Sequence, residues 1–159
     1  ERQKIPMSGA SNENVILEPI EIEGTSFNVT AVSMGNPHAV VFVDDLKTID
    51  VVKWGPKFEN HLAFPEKVNT EFVQVMSPTE AVMIVWERGA GETLACGTGA
   101  CATLVAGVLC EKLDRKALIH LPGGDLTIEW QAQDNHVIMT GPSETVFSGK
   151  VNIELEVTL

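Results

Sequence analysis

The densest chemistry in this sequence lies between Trp86 and Cys101. An apolar run ends in the charged pair Glu87-Arg88, and the Gly-rich loop Gly89-Ala90-Gly91 follows. Cys96 then stands directly before an apolar segment that opens Gly97-Thr98-Gly99. Loops at strand ends, close to helix starts, are where sites are commonly built. The free N–H groups of Gly97, Thr98 and Gly99 would point out of such a helix start and can hold a carboxylate. The same partial positive charge is expected to lower the pKa of Cys96 and make its thiolate available near neutral pH. Glycines at these positions let a ligand approach the backbone closely. The competing reading is that Gly-Thr-Gly is only a helix cap and Cys96 a small core residue, because free cysteine is among the most buried residue types.

A second cluster runs from Ser33 to His38, Ser-Met-Gly-Asn-Pro-His. Asn36-Pro37 marks a turn, and His38 taken alone reads as a hydrogen-bonded loop histidine. Glu87 with Arg88 taken alone reads as a solvated ion pair, and Asn69 as a turn residue. Cys101 and Cys110 fall inside the helix expected after Cys96 and read as packing. Three cysteines within fifteen positions do not make a disulfide framework. Cys96 and Cys101 are too far round a helix to face one another, and no second Cys or His pair follows at zinc spacing. No metal is expected, and reduced thiols point to a cytoplasm-like compartment.

Mostly strands must position these residues. Val15 to Leu17 with Ile20 and Ile22, broken by Pro19 and closed by Gly24, reads as the first. Phe27, Val29 and Ala31 alternate with polar positions, and Ala39 to Val43 is a continuous apolar run ended by Asp44-Asp45. Phe72, Val73 and Val75 lead to a turn at Ser77-Pro78. Val82, Ile84 and Trp86 alternate with Met83 and Val85, a strand buried on both faces. Further strands are expected at 118–121, 126–130, 136–140 and 151–159, with Pro122 to Asp125 as a hairpin turn. A helix is predicted from Thr48, as N-cap, to Trp54, and another short helical turn over Pro56 to Asn60. The clearest helix runs from Gly97 to about Lys112 and is apolar on every face, as a buried helix is. The expected class is α+β, nine or ten strands around one central helix.

Composition removes several function classes. The 159 residues carry a net charge of -11, which argues against electrostatic binding of nucleic acid or anionic membranes. At 44% hydrophobic and 21% charged residues, the chain can bury a core. No run approaches the ~18 apolar residues of a membrane span, and the polar start Glu1 to Pro6 does not read as a signal peptide. Residues 1–13, containing Ser8-Gly9-Ala10-Ser11, read as a linker, and 14–159 as the domain.

Together the clusters resemble the C-terminal half of the diaminopimelate epimerase family, racemase-type enzymes that work without pyridoxal phosphate. The matching stretches are Met34 to His38, Phe64-Pro65, Asn69 to Phe72, Glu87 to Ala102, Leu121 to Gly124 and Met139 to Pro142. The resemblance implies a strongly curved, barrel-like, mostly antiparallel sheet wrapped around a central helix, repeated as two similar domains with the site between them. It implies no cofactor. Carried over residue by residue, Cys96 matches one of two catalytic cysteines that stand on opposite faces of the substrate Cα. Gly97 and Thr98 match donors to the carboxylate on the reacting carbon. Glu87 matches the group at the substrate ammonium. Asn36, Asn69 and Arg88 match groups that hold the distal amino-acid end, and His38 matches a position that affects the protonation of the cysteines.

The family's other catalytic cysteine lies in its N-terminal domain, and no Cys-Gly-Asn occurs in these 159 residues. The chain therefore reads as half of an active site. The implied partners are the small-molecule substrate diaminopimelate and an N-terminal domain of the same enzyme, with a homodimer left open. The implied location is cytoplasmic, or the plastid stroma in a plant. Two other readings compete: a proline- or hydroxyproline-racemase-like isomerase of the same fold, and a non-catalytic carboxylate-binding module. A thiol-redox role lacks the usual Cys-x-x-Cys spacing.

Overall fold

Period-two alternation of apolar residues builds nine strands into one mixed sheet in the computed structural model, which describes residues 1–9 and 14–151. The strands are β1 (Glu18–Ile22), β2 (Thr25–Ser33), β3 (Pro37–Phe42), β4 (Asn69–Ser77), β5 (Glu80–Glu87), β6 (Gly91–Thr93), β7 (Lys116–Leu121), β8 (Gly124–Trp130) and β9 (Val137–Thr140). Their order is β1-β2-β3-β4-β5-β7-β8-β9, with β6 paired to β5, so among the described residues the sheet is open rather than closed. Neighbours are antiparallel except at β3–β4 and β5–β7. The expected hairpin at Pro122 is tight, with Leu121 paired to Gly124.

Helix α2 (Gly97–Leu109) lies in the hollow of this sheet and contacts β2, β3, β4, β5, β7, β8 and β9. Its apolar surface on every side explains why: only a helix enclosed by strands can bury all of it. Val40, Val73, Met83, Val85, Ile119 and Ile128 meet Ala102, Leu104 and Ala106 in this core. The opposite face of β2–β5 packs against α1 (Val51–Glu59) through Phe27, Trp54, Phe58 and Phe72, whose rings meet edge to face. β5 serves both cores: Met83 and Val85 face α2, whereas Val82, Ile84 and Trp86 face the α1 side.

Several boundaries differ from the expectation. The helix predicted from Thr48 starts at Val51, capped by Asp50, whose carboxylate accepts from the Lys53 N–H at 2.9 Å. Thr48 instead closes a 3-10 turn over Leu46–Thr48, and its hydroxyl is taken by the Asp45 carbonyl. The separate turn at Pro56–Asn60 is the continuation of α1. Pro56 sits inside the helix and leaves the carbonyl of exposed Val52 without a helical donor. Pro19 does not break the first strand: β1 is an edge strand, where a missing N–H is tolerated. Val15 to Leu17 precede that strand, with Leu17 at φ 50°. The central helix ends at Leu109, because the Lys112 and Leu113 N–H groups turn back to the Gly107 carbonyl. Residues 1–9, expected within a linker, are seated on the domain by Ile5 and Met7, which enter the α1-side core. Of the strand expected at 151–159, residues 152–159 lie outside the described residues.

Candidate active site at the start of the buried helix

Side-chain direction in the strands decides which polar residues meet. In β3, His38 shares a face with Val40; in β4, Asn69 and Glu71 share a face with Val73; in β5, Glu87 shares a face with Met83 and Val85. Because Val40, Val73, Met83 and Val85 face α2, these four polar residues form one layer on the concave side. The parallel register sets His38 beside Asn69.

Cys96 is the N-cap of α2, with extended backbone at φ −142°, ψ 104°. Its Sγ accepts from the Gly99 N–H at 3.3 Å and lies 3.6 Å from the Thr98 hydroxyl. The Gly97 and Thr98 N–H groups are in the first turn, where no intrahelical carbonyl reaches them. From Thr98 a line of contacts runs inward. Asn36 Nδ2 donates to Thr98 Oγ1 at 3.4 Å, Asn36 Oδ1 lies 3.0 Å from His38 Nε2, and His38 Nδ1 lies 2.7 Å from Glu71 Oε1. His38 and Glu71 are fully buried. Gly99 leaves room for this packing, since a Cβ there would come within 2.8 Å of Glu71 Oε1 and 3.2 Å of Cys96 Sγ.

The thiol differs from the expectation. Burial pushes the pKa of Cys96 up, and the Thr98 hydroxyl and the Gly99 N–H oppose that; negative charge on Glu71 or Glu87 would push it further up. The helix start does supply a hydrogen bond, but desolvation of the thiol outweighs it. Cys96 is thus held as a thiol, in a setting that stabilises its anion only in part. Burial raises Cys101 and Cys110 too, with Cys110 Sγ against the Thr30 hydroxyl.

Glu87, at the end of β5, accepts from the Thr93 hydroxyl of β6. Asn69 and Arg88 form a separate group. Asn69 donates to the Pro37 carbonyl and accepts from the Arg88 N–H, both at 2.9 Å, and the Arg88 guanidinium donates to the Glu66 carbonyl at 3.0 Å. Beneath them Glu59 accepts from Trp86 Nε1, the Gly89 N–H and Lys67, and the Trp86 hydrogen bond above all lowers its pKa. The fold therefore brings Cys96, Gly97, Thr98, Asn36 and His38 into one connected set with Glu87 close by. Asn69 and Arg88 are held at the strand ends beyond it. A hollow of about 380 Å³ lined by Val15, Val105, Leu109 and Trp130 lies at the other end of α2.

The diaminopimelate epimerase family model matches residues 30–146, which contain all of these groups. The chain belongs to the diaminopimelate epimerase family. The diaminopimelate epimerase of Acaryochloris marina is 55% identical over 148 residues, covering 92% of this chain and 52% of that protein. The one from Agathobacter rectalis is 58% identical over 139 residues, covering 87% and 49%. The chain thus spans about half the length of the curated relatives it matches. A phenazine biosynthesis protein of the PhzF family from Bacillus anthracis superposes with a TM-score of 0.50 at 22% identity, over 71% of this chain and 38% of that one. Its Enterococcus faecalis counterpart gives 0.51 at 14%, over 67% and 40%. At such identities the likeness concerns the fold alone.

Three residues at this epimerase-family site escaped the reading of the sequence as site groups. Glu71 carries the one signal that was available, a carboxylate embedded among Thr70, Phe72 and Val73 in a central strand. Thr93, which binds Glu87, lies in a short strand of ordinary composition. Met139 lies with its sulfur 3.1 Å from where a Gly97 Cβ would stand.

Proposed function

We propose that this chain is the C-terminal catalytic half of a cofactor-independent epimerase that interconverts LL- and meso-diaminopimelate, supplying precursors of lysine and peptidoglycan in the cytoplasm. The observation that carries this reading is Cys96, a buried thiol capping α2 beside two carboxyls, within residues matched by the family. Inversion at a carbon needs one group to remove the α-proton and another on the opposite face to return one. Cys96 serves one face, and a second group from outside these residues serves the other. A thiol pushed upward by burial is protonated at neutral pH, ready to deliver its proton to the carbanion-like Cα and be left as thiolate; in the reverse direction that thiolate removes the α-proton and becomes the thiol again.

Negative charge grows towards the α-carboxylate as the proton departs. The first-turn N–H groups of Gly97 and Thr98, already oriented, stabilise it there. Glu87 faces the α-ammonium and keeps it charged, which makes the α-proton more acidic. Asn36, Asn69 and Arg88 hold the distal amino-acid end, and His38 governs the proton inventory behind Asn36. The concave polar layer and the partner half together exclude water from the carbanion.

The test uses the whole protein that contains this chain, with LL-diaminopimelate in deuterated water. Conversion to the meso isomer with deuterium at Cα is expected, and Cys96→Ala should abolish both. Turnover that survives Cys96→Ala, or exchange with proline but not with diaminopimelate, would overturn the reading.

A further inference from the structure

The fully buried Glu71 carboxyl is not among the groups given a role above, and its surroundings are specific. Oε1 meets His38 Nδ1 at 2.7 Å, while Oε2 has no hydrogen-bond partner among the described residues. An unpartnered oxygen is costly on a buried carboxylate and much cheaper as the carbonyl oxygen of a neutral acid. His38 has an acceptor at its other nitrogen, Asn36 Oδ1, since the Asn36 amide nitrogen is turned to Thr98. Nε2 must therefore donate, and a neutral ring then accepts at Nδ1. The proton between Glu71 and His38 comes from Glu71.

We propose that Glu71 is a positioning residue for Cys96: its Oε1–H donates to His38 Nδ1 and so fixes Nε2–H towards Asn36. The consequence propagates along the contacts. Asn36, accepting with Oδ1, must present its amide hydrogens to Thr98. Thr98 Oγ1 accepts from Asn36, so its own hydrogen is available to Cys96 Sγ when the thiolate forms. Glu71 thus acts through His38, Asn36 and Thr98 without touching the reacting atoms. The direction of its own titration agrees, because burial raises the Glu71 pKa despite the opposing His38 contacts. The titratable groups facing Cys96 are Glu71 from β4 and Glu87 from β5, with His38 of β3 behind Glu71.

The inference rests on Cys96 being the reacting thiol, but its test needs no substrate. In the whole protein that contains this chain, the Cys96 thiol is titrated by its 13Cβ NMR shift, and the His38 ring nitrogens are read by 15N shifts. Wild type should show Nε2 protonated and Nδ1 as the acceptor at neutral pH. Glu71→Gln retains a donor to Nδ1 and a neutral pair, so the Cys96 midpoint should stay within ~0.3 pH units, well inside one hydrogen bond's worth. Glu71→Leu removes the donor and should move that midpoint up by about one pH unit, the loss of one hydrogen bond to the thiolate. Thr98→Val should do the same at an exposed position that endangers no core, and the Glu71→Leu, Thr98→Val double variant should shift no further than either alone.

Additive shifts, a basic Nε2 in wild type, or a Cys96 midpoint that falls by a unit or more in Glu71→Gln would overturn the proposal. The last result would reveal an ionised Glu71 beside a neutral histidine. Should Glu71→Leu fail to fold, the wild-type 15N spectrum and the Glu71→Gln titration still decide. Loss of turnover on Cys96→Ala with none of these thiol effects would leave the epimerase reading standing and refute only the role of Glu71. The converse pattern would separate them the other way.

Discussion

Two glycines in the first turn of α2 should respond in opposite ways to the same added methyl. At Gly99 a Cβ would lie 2.8 Å from Glu71 Oε1, 3.2 Å from Cys96 Sγ and 3.3 Å from Cys96 Cβ. None of these can retreat: Glu71 is fully buried and hydrogen-bonded to His38, and Cys96 is the helix cap. At Gly97 the nearest atoms are the sulfur and methyl of Met139, at 3.1 and 3.3 Å, the free end of a side chain that is 51% exposed. Alanine is favoured over glycine in a helix by up to ~1 kcal/mol, and overpacking a rigid site costs about 1–3 kcal/mol. Gly99→Ala should therefore lower stability by about 1–2 kcal/mol, whereas Gly97→Ala should be neutral or slightly stabilising. For a chain of this size that is a melting temperature lower by roughly 3–6 °C in the first variant alone. Urea and thermal unfolding of the pair, followed by circular dichroism, measure it. Equal stability of the two variants would refute the claim that α2 rests directly on the Glu71 carboxyl.

Burial raises the Glu71 pKa in the folded chain above its unfolded value of about 4.3, so the group's contribution to stability is complete below that pH and is lost as pH rises through the raised value. Thermal melts between pH 5 and pH 8 should therefore show wild type losing more stability than Glu71→Gln as pH increases, and a steeper loss in the variant would contradict the assigned burial. Asp50→Ala should cost about 1 kcal/mol in urea unfolding through the lost cap of α1, and Thr48→Ala distinctly less.

Sequence patterns reached different parts of this chain unequally, for identifiable reasons. Helix α2 was legible because an all-apolar stretch opened by Gly-Thr-Gly has one stable place, the inside of a sheet. β5 was legible because both of its alternating sets are apolar. The start of α1 was not, because Asp45, Thr48 and Asp50 are all good caps within six positions and local chemistry favours none decisively. Packing of Val51 and Phe58 against the sheet selects Asp50. The state of the thiol is not legible for a related reason. The field of a helix start can be read from sequence, whereas the desolvation of Cys96 and the approach of Glu71 and Glu87 depend on which strands flank the helix. Glu71 carries no decisive signal in the sequence, since a lone carboxylate in a strand ordinarily marks the solvent side.

The concave face joins the structural and chemical roles of the strands. Along β3, β4 and β5 the same alternation that supplies Val40, Val73, Met83 and Val85 to the core supplies His38, Asn69, Glu71 and Glu87 at one end of it. That end lies under the N-terminus of α2, where partial positive charge accumulates and anionic groups are least disfavoured. The hollow at the C-terminal end of the helix combines apolar Val15, Leu109 and Trp130 with Glu1, Lys4 and Asn135. The carboxyls are therefore placed by the phase of the strands and made tolerable by the direction of the helix. Reversing the helix would bury them against carbonyl oxygens. A one-residue slip of β4 against β3 would turn Glu71 and Asn69 to the Phe58 side and bring Thr70 and Phe72 under Cys96. The parallel register His38–Asn69, held by the Asn69 bonds to the Pro37 carbonyl and the Arg88 N–H, is what prevents that slip. Asn69 thus has a structural duty that any role in binding a substrate must share.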